Sequence, residues 1–328
     1  MTERGIKNVT ASVLARLRID SKSSGAPFQQ ILQLYAIERF LYRISKSGHA
    51  QSVILKGALL LKTIGIPKAR PTMDIDMLRT GRADQESLLA LVKDCATLEV
   101  EADGIAFLTD NMVAEEISKD SEYKGTRVLM DARMDNVRLK IQIDFGIGDV
   151  MVPGPRMIEY PAFLGSDTIR LFAYPIESAI AEKLQAMVAL GDANSRMKDF
   201  YDVWICSKHL DFTDGTLLKA VGATFKNRET SFPSEEFEAL TTAFVDGHRL
   251  QWNAFAKKVG ESELMDAFME SGAGLGRGLS SLGLRRLLRD PVRRMFGNTI
   301  LWYKRHKKGF DSSRRQGRGC ARRSRCRK

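Results

Sequence analysis

The sequence predicts an α+β protein: a mixed sheet with flanking helices in the N-terminal half, then an all-helical C-terminal half. Three observations carry this reading. Segments of strand-like alternation crowd into the first half, the clearest being 137–144, where apolar and polar residues alternate without a break. From 176 onward the apolar residues recur at helical spacing instead. Helices therefore come first, strands and helices mix next, and helices alone follow, an order that segregates the two kinds of structure.

The elements follow in turn. Residues 1–22 read as a short helix, broken by the Ser-Ser-Gly-Ala-Pro run at 23–27. Residues 28–45 form a second helix with Ile31, Leu34, Tyr35, Ile37, Phe40, Leu41 and Ile44 on its apolar side. A short strand at 52–55, a helix at 57–64, a strand at 72–78 and a helix at 84–95 come next. Strands are predicted at 105–108, 123–132 and 138–145, and Pro153, Pro155 and Pro161 mark an irregular connection. Helices are predicted at 176–190, 195–208, 214–225, 234–245 and 250–259. The implied domains are 1–165, 166–270 and a basic tail at 271–328.

Charge is unevenly spread. The chain has 328 residues and a net charge of +11, but residues 275–328 hold 18 of the 51 basic residues and 2 of the 40 acidic ones. That leaves 33 basic against 38 acidic residues, a net of −5, for the body. A nucleic-acid inference from basic charge belongs to the tail alone. The tail, with a basic amphipathic stretch at 282–294 and an Arg/Ser/Gly-rich end, is open to three readings: a nucleic-acid arm, a disordered extension, or out-of-frame translation. No apolar run reaches membrane-span length and 1–20 lacks an apolar signal core, so a cytoplasmic protein is expected. Cys95, Cys206, Cys320 and Cys326 fit neither a zinc site nor a disulfide framework, and free thiols are expected. The histidines lack metal-ligand spacing, and no P-loop or G-x-S-x-G run is present. Trp204 and Trp252 sit on apolar helix faces and read as core.

The chemistry concentrates in two stretches. In the first, Lys56-Gly57-Ala58-Leu59 precedes Thr72-Met73-Asp74-Ile75-Asp76. Side chains alternate along a strand, so Asp74 and Asp76 share a face. Two neighbouring carboxylates repel, which a hard divalent cation with oxygen ligands would offset; a solvated strand edge is the other reading. Asp144, ending the 138–145 strand, supplies a third acid if the strands are adjacent. In the second stretch, Lys183 lies beside the apolar stripe of the 176–190 helix, where it either snorkels to water or meets an anion. Arg196, Lys198, Asp199 and Asp202 crowd the start of the next helix, where the cations either hold phosphates or pair with the acids.

Taken together, Lys56 to Leu59, Asp74-Ile75-Asp76, Asp144, Glu177 to Lys183, and Arg196-Met197-Lys198-Asp199-Phe200-Tyr201-Asp202 resemble the AbiEii/AbiGii-type nucleotidyltransferase toxins, a branch of the DNA polymerase β-like nucleotidyltransferase superfamily. The run 251–255 is similar to that family's closing helix, and the resemblance covers roughly 31–259, leaving the tail outside. It implies a nucleotidyltransferase-like mixed sheet and a magnesium-dependent transfer of NMP from an NTP to an acceptor hydroxyl, with manganese as the alternative ion. Asp74, Asp76 and Asp144 would hold the metal, Asp144 as ligand or base. Gly57 would bring the backbone to phosphate, with Lys56, Ala58 and Thr72 around the nucleotide. Lys183 would meet the triphosphate, Asp199 would orient Lys183 or the nucleotide, and Arg196 and Lys198 would contact phosphates. Ala58 departs from the superfamily's common Gly-Ser, and Thr72 is the candidate replacement hydroxyl. The resemblance also implies RNA, with tRNA 3′ ends leading, as acceptor, and a cognate antitoxin, often a winged-helix repressor, as partner. Transfer to a protein hydroxyl and a non-catalytic nucleotide- or RNA-binding module are the alternatives.

Overall fold

The computed structural model describes residues 8–66, 70–117, 125–165, 168–210, 212, 215–232, 238 and 241–260. Along them run α1 (Val9–Ser24), α2 (Phe28–Lys46), β1 (Val53–Leu55), α3 (Gly57–Thr63), β2 (Asp74–Arg79), α4 (Gln85–Ala96), β3 (Ala106–Glu116), β4 (Gly125–Met134), β5 (Val137–Ile147), β6 (Arg156–Tyr160), β7 (Ile169–Ala173), α5 (Ile176–Leu190), α6 (Met197–His209), α7 (Thr216–Asn227), α8 (Thr242–Gly247) and α9 (Arg249–Val259). Gly25 ends α1 with φ of 71°, the left-handed geometry that closes a helix. Asp84 caps α4 by accepting the Ser87 N–H, which, with the Ser87 and Arg82 side chains, lowers its carboxyl to about 2.

The sheet has seven strands in the order β3-β4-β5-β2-β1-β7-β6. It is mixed as expected: β2 runs parallel to β5 and β1 parallel to β7, while the other neighbours are antiparallel. Three strands correct the sequence reading. β6 and β7 occupy what the prolines marked as an irregular connection, because Pro155 and Pro161 bound the five-residue β6 rather than interrupt it, and β6 lies at the sheet edge, where missing ladder donors are tolerated. β3 is also longer than its apolar run at 105–108. It is the opposite edge strand, with an irregularity between Leu108 and Val113, so its outer half needs little apolar character.

One face of the sheet is sealed. Ile75 and Met77 on β2, Val128, Met130 and Ala132 on β4, and Leu139, Ile141, Ile143 and Phe145 on β5 are buried there together with the apolar side of α2. α2 packs on β5 and β7, and α4 packs on β3 and β4. α2 also carries a buried ion cluster. Arg39 and Arg43, one helical turn apart, both reach Asp103, at 2.9 and 2.6 Å, and the Tyr35 hydroxyl donates to the Asp103 carbonyl. All three charged residues are less than a tenth exposed, so α2 is tied to the chain entering β3 by a largely buried ion cluster.

By its internal contacts the chain divides into two units, residues 1–183 with 219–227, and residues 184–218 with 228–328. The first holds the sheet. In the second, α6 meets α8 and α9 through aromatic contacts: Phe200 stacks on Phe244 of α8 at 5.5 Å and meets the edge of Trp252 of α9 at 5.5 Å, and Tyr201 meets Phe255 of α9 at 5.8 Å. Trp204 and Trp252 are core residues, as their helical positions predict. The expected tail domain at 271–328, its amphipathic stretch, Cys320 and Cys326 all lie outside the described residues; Cys95 and Cys206 are buried free thiols. Among the described residues no helix is long and apolar enough to cross a membrane.

Candidate active site

The alternation of β2 sends Ile75 and Met77 into the core and leaves Asp74 and Asp76 half-buried on the opposite face. The same holds on β5, where Ile143 and Phe145 are buried and Gln142 and Asp144 face out. Parallel pairing sets Asp76 directly opposite Asp144 and Asp74 opposite Gln142. Adjacent strands lie about 4.8 Å apart, so two carboxylates stand side by side with a third on the same face two residues away. The ladder continues outward: Asp144 pairs with Arg127 on β4, and Arg127 pairs with Glu115 on β3. Glu115, Arg127, Asp144 and Asp76 thus form one row across four strands.

Arg127 is the residue that sequence reasoning missed. Its Nε and Nη2 each donate to one oxygen of Asp144, both at 2.8 Å, while Gln142 lies at 3.3–3.4 Å from the same carboxylate. Hydrogen bonding to Asp144, against a smaller opposing effect of burial, and the charges of Asp144, Asp74 and Glu115 hold the guanidinium more firmly protonated than usual. Arg127 stands in a predicted strand, but its place beside Asp144 depends on pairing register, which local pattern does not specify.

On the other side of Asp76 sits the β1–α3 turn. The Lys56 N–H donates to the Asp76 carbonyl at 2.8 Å. Gly57 has φ of +66°, and a Cβ there would stand 1.8 Å from Asp76 Oδ2, so a side chain at 57 is excluded by both backbone geometry and space. The Ala58 side chain is buried and carries no hydroxyl to meet a phosphate. Thr72 is also buried, and its hydroxyl accepts the Asp74 N–H at 3.4 Å.

The Lys56 side chain points to a second cluster. Its Nζ lies 2.5 Å from Asp149 and 2.9 Å from Glu182, the Tyr174 ring lies 4.4 Å away, and the Tyr174 hydroxyl donates to Glu182. Burial opposes the Lys56 charge more than any other influence, yet the charges and hydrogen bonds of Glu182 and Asp149 together outweigh it and raise the pKa above 10.5. This ammonium therefore joins three segments: the Gly57 turn, the chain leaving β5, and α5 one residue before Lys183. Asp149, Glu182 and Tyr174 were all within or beside the stretches singled out from sequence, without a signal that Lys56 would meet them.

The remaining expected residues are half-buried Lys183 on α5, which closes the first unit, and the start of α6 in the second. There Asp199 and Asp202 are each only 1% exposed, so the surface-pairing reading of that stretch is corrected for the acids. α6 is buried on both sides: Met197, Phe200, Tyr201 and Trp204 line one face, and Asp199 and Asp202 share the opposite face with buried Val203 and Cys206. Arg196 Nε contacts Asp199 Oδ2 at 2.6 Å, and Lys198 is exposed.

The donor set suits a small hard cation: three carboxylates on one sheet face, two of them in register. The side chains as they stand are arranged otherwise, since among the described residues no three acidic, His or Cys groups converge on a common point, and Asp144 is forked by Arg127.

Two Helicobacter pylori crystal structures are similar to the chain. One is JHP933, at 13% identity and a TM-score of 0.42, covering 74% of this chain and 92% of that one. The other is a protein assigned provisionally as a nucleotidyltransferase, at 14% identity and a TM-score of 0.40, covering 76% of this chain and 99% of that one. No curated protein matches. The profile of the family described as "Nucleotidyl transferase AbiEii toxin, Type IV TA system" matches residues 39–271. That match spans well over half of the sequence, including both aspartate strands, α5 and α6, and the chain belongs to the AbiEii nucleotidyl transferase toxin family.

Proposed function

We propose that this nucleotidyltransferase moves a nucleoside monophosphate from an NTP to an acceptor hydroxyl on RNA, with the tRNA 3′ end as the leading acceptor, and releases pyrophosphate. The observation that carries the reading is the register of Asp76 against Asp144, with Asp74 on the same face and the Gly57 turn closed over Asp76.

The residues divide the work by position. Asp74 and Asp76 hold the cation, magnesium with manganese able to substitute, and Asp144 is the third acid, as ligand or as base toward the attacking hydroxyl. When bound, such an ion neutralises phosphate charge and orients the attacking and leaving oxygens. Gly57 makes the turn that lets backbone amides approach a phosphate, its missing side chain leaving room for Asp76. Lys183 adds positive charge toward the triphosphate. As the family resemblance implies, Asp199 orients Lys183 or the nucleotide, and Arg196 and Lys198 contact phosphates. Protein groups supply mostly position and charge in this kind of transfer, which suits a site built of acids and cations without a nucleophile. The hydroxyl of Thr72 takes the place of the serine that Ala58 cannot supply.

A cognate antitoxin belongs to the system as the family describes it; a winged-helix repressor and a cytoplasmic setting are part of the proposal. Incubation with each labelled NTP, magnesium and total RNA tests it. Label on RNA that is lost with Asp76→Ala supports the reading. RNA or nucleotide binding without magnesium-dependent transfer to RNA would overturn it, and label on protein alone would move the acceptor to a protein hydroxyl.

A further inference from the structure

The row Glu115–Arg127–Asp144–Asp76 places Asp144 between two competing neighbours. On the β2 side stands Asp76, with which it would share a cation; on the β4 side stands Arg127, which now takes both of its oxygens. Both neighbours are one strand spacing away, about 4.8 Å, so the same carboxylate can lean either way without moving the backbone. Convergence of Asp74, Asp76 and Asp144 and the bidentate fork to Arg127 are different orientations of one side chain.

We infer that Arg127 is the site's resident counter-ion, a positioning residue that holds Asp144 toward β4 and competes with a divalent cation for it. This rests on the reading of Asp74, Asp76 and Asp144 as cation ligands. Three features make the pair exchangeable. Its partners are 26% and 13% exposed at the side chain, so water reaches the contact and screens it. A guanidinium and a dication beside one carboxylate repel each other, so the arriving cation favours release of Arg127. Glu115 lies directly across from Arg127 on the far side from Asp144, an exposed carboxylate able to receive the guanidinium once Asp144 turns. Arg127 therefore lowers cation affinity and Glu115 restores part of it, opposite effects that a simple structural ion pair would not produce.

The test is manganese binding by the full chain, followed by electron paramagnetic resonance at fixed ionic strength, with folding checked by circular dichroism. Arg127→Gln should tighten Mn²⁺ binding by roughly tenfold, from removal of one positive charge beside the ion. Arg127→Lys, which keeps the charge and loses the fork, should fall between Arg127→Gln and the unaltered protein. Glu115→Gln should weaken binding roughly twofold, and that effect should vanish in the Arg127→Gln background. Unchanged or weaker binding in folded Arg127→Gln, with Asp76→Ala still abolishing it, would overturn the inference while leaving the cation site intact. Should Arg127→Gln fail to fold, a Glu115→Gln variant with undiminished binding would overturn it instead. Binding insensitive to Asp76→Ala, or no saturable binding in the unaltered protein, would overturn the underlying cation-site reading and the inference with it.

Discussion

Two arginine–aspartate contacts in the sheet unit use the same chemistry for different ends. At Asp103, two arginines of α2 converge on one carboxylate, and each of the three side chains is less than a tenth exposed. At Asp144, one arginine meets one carboxylate on the half-open sheet face, next to Asp76. In the first, every alternative partner is excluded, so the contact is permanent architecture. In the second, the carboxylate has two possible partners and water has access, so the contact can exchange. Burial, more than the identity of the pair, separates a structural ion cluster from a working one.

Substitutions probe that contrast in descending order of effect. Asp103→Ala leaves two buried guanidinium groups without their carboxylate and should destabilise the fold by about 3–5 kcal/mol, read by chemical denaturation. Loss comparable to a surface substitution would show the cluster to be wetter than its burial indicates. Lys56→Met is the intermediate case, because Asp149 and Glu182 would then face each other; a loss of roughly 2–3 kcal/mol is expected. The sign of its pH dependence follows from the raised pKa: the stabilisation from Lys56 is complete below 10.5 and disappears as pH rises through the higher folded-state value. Melting curves taken across that alkaline range should fall for the unaltered protein and be flatter for Lys56→Met, and parallel curves would contradict the ion-pair assignment. Arg127→Gln should cost about 1–2 kcal/mol of stability, between an exposed pair and a fully buried one. A loss as large as that at Asp103 would erase the distinction between the two contacts. The smallest effect concerns Cys95, whose thiol burial pushes up to about 11. At pH 8 only about one thiol in a thousand would be ionised, so alkylation of Cys95 in the folded protein should be slow and should accelerate on unfolding.

Much of the site was legible in the sequence because strand alternation is local. Asp74 and Asp76 had to share a face, and Asp144 had to lie in a strand of the same alternating kind, although β5 runs on to Ile147 and does not end there. Gly57 was legible as a turn, although its contact with Asp76 was not. Register is a different matter, since the pairing of β2 with β5 spans about seventy residues of chain and no local pattern encodes it. Arg127 and the Lys56 cluster both depend on such pairings, and both were hidden for that reason. β6 escaped because flanking prolines masked it, and the polar half of β3 because an edge strand needs no second apolar face. The burial of Asp199 and Asp202 was hidden for another reason: the charge pattern of 196–202 matches a solvated helix start, and only tertiary packing on the face opposite the aromatic residues, shared with Val203 and Cys206, covers the acids.

The central claim is that Asp76, in register with Asp144, serves chemistry and not stability. Turnover and melting temperature of Asp76→Asn, measured on the same preparation with labelled NTP, magnesium and RNA, test it most directly. The account predicts a loss of transfer of roughly 100-fold or more with the melting temperature nearly unchanged, since the change removes a charge that the transition state requires and the fold does not. Transfer that survives the substitution, or that falls only in proportion to unfolded protein, would contradict it.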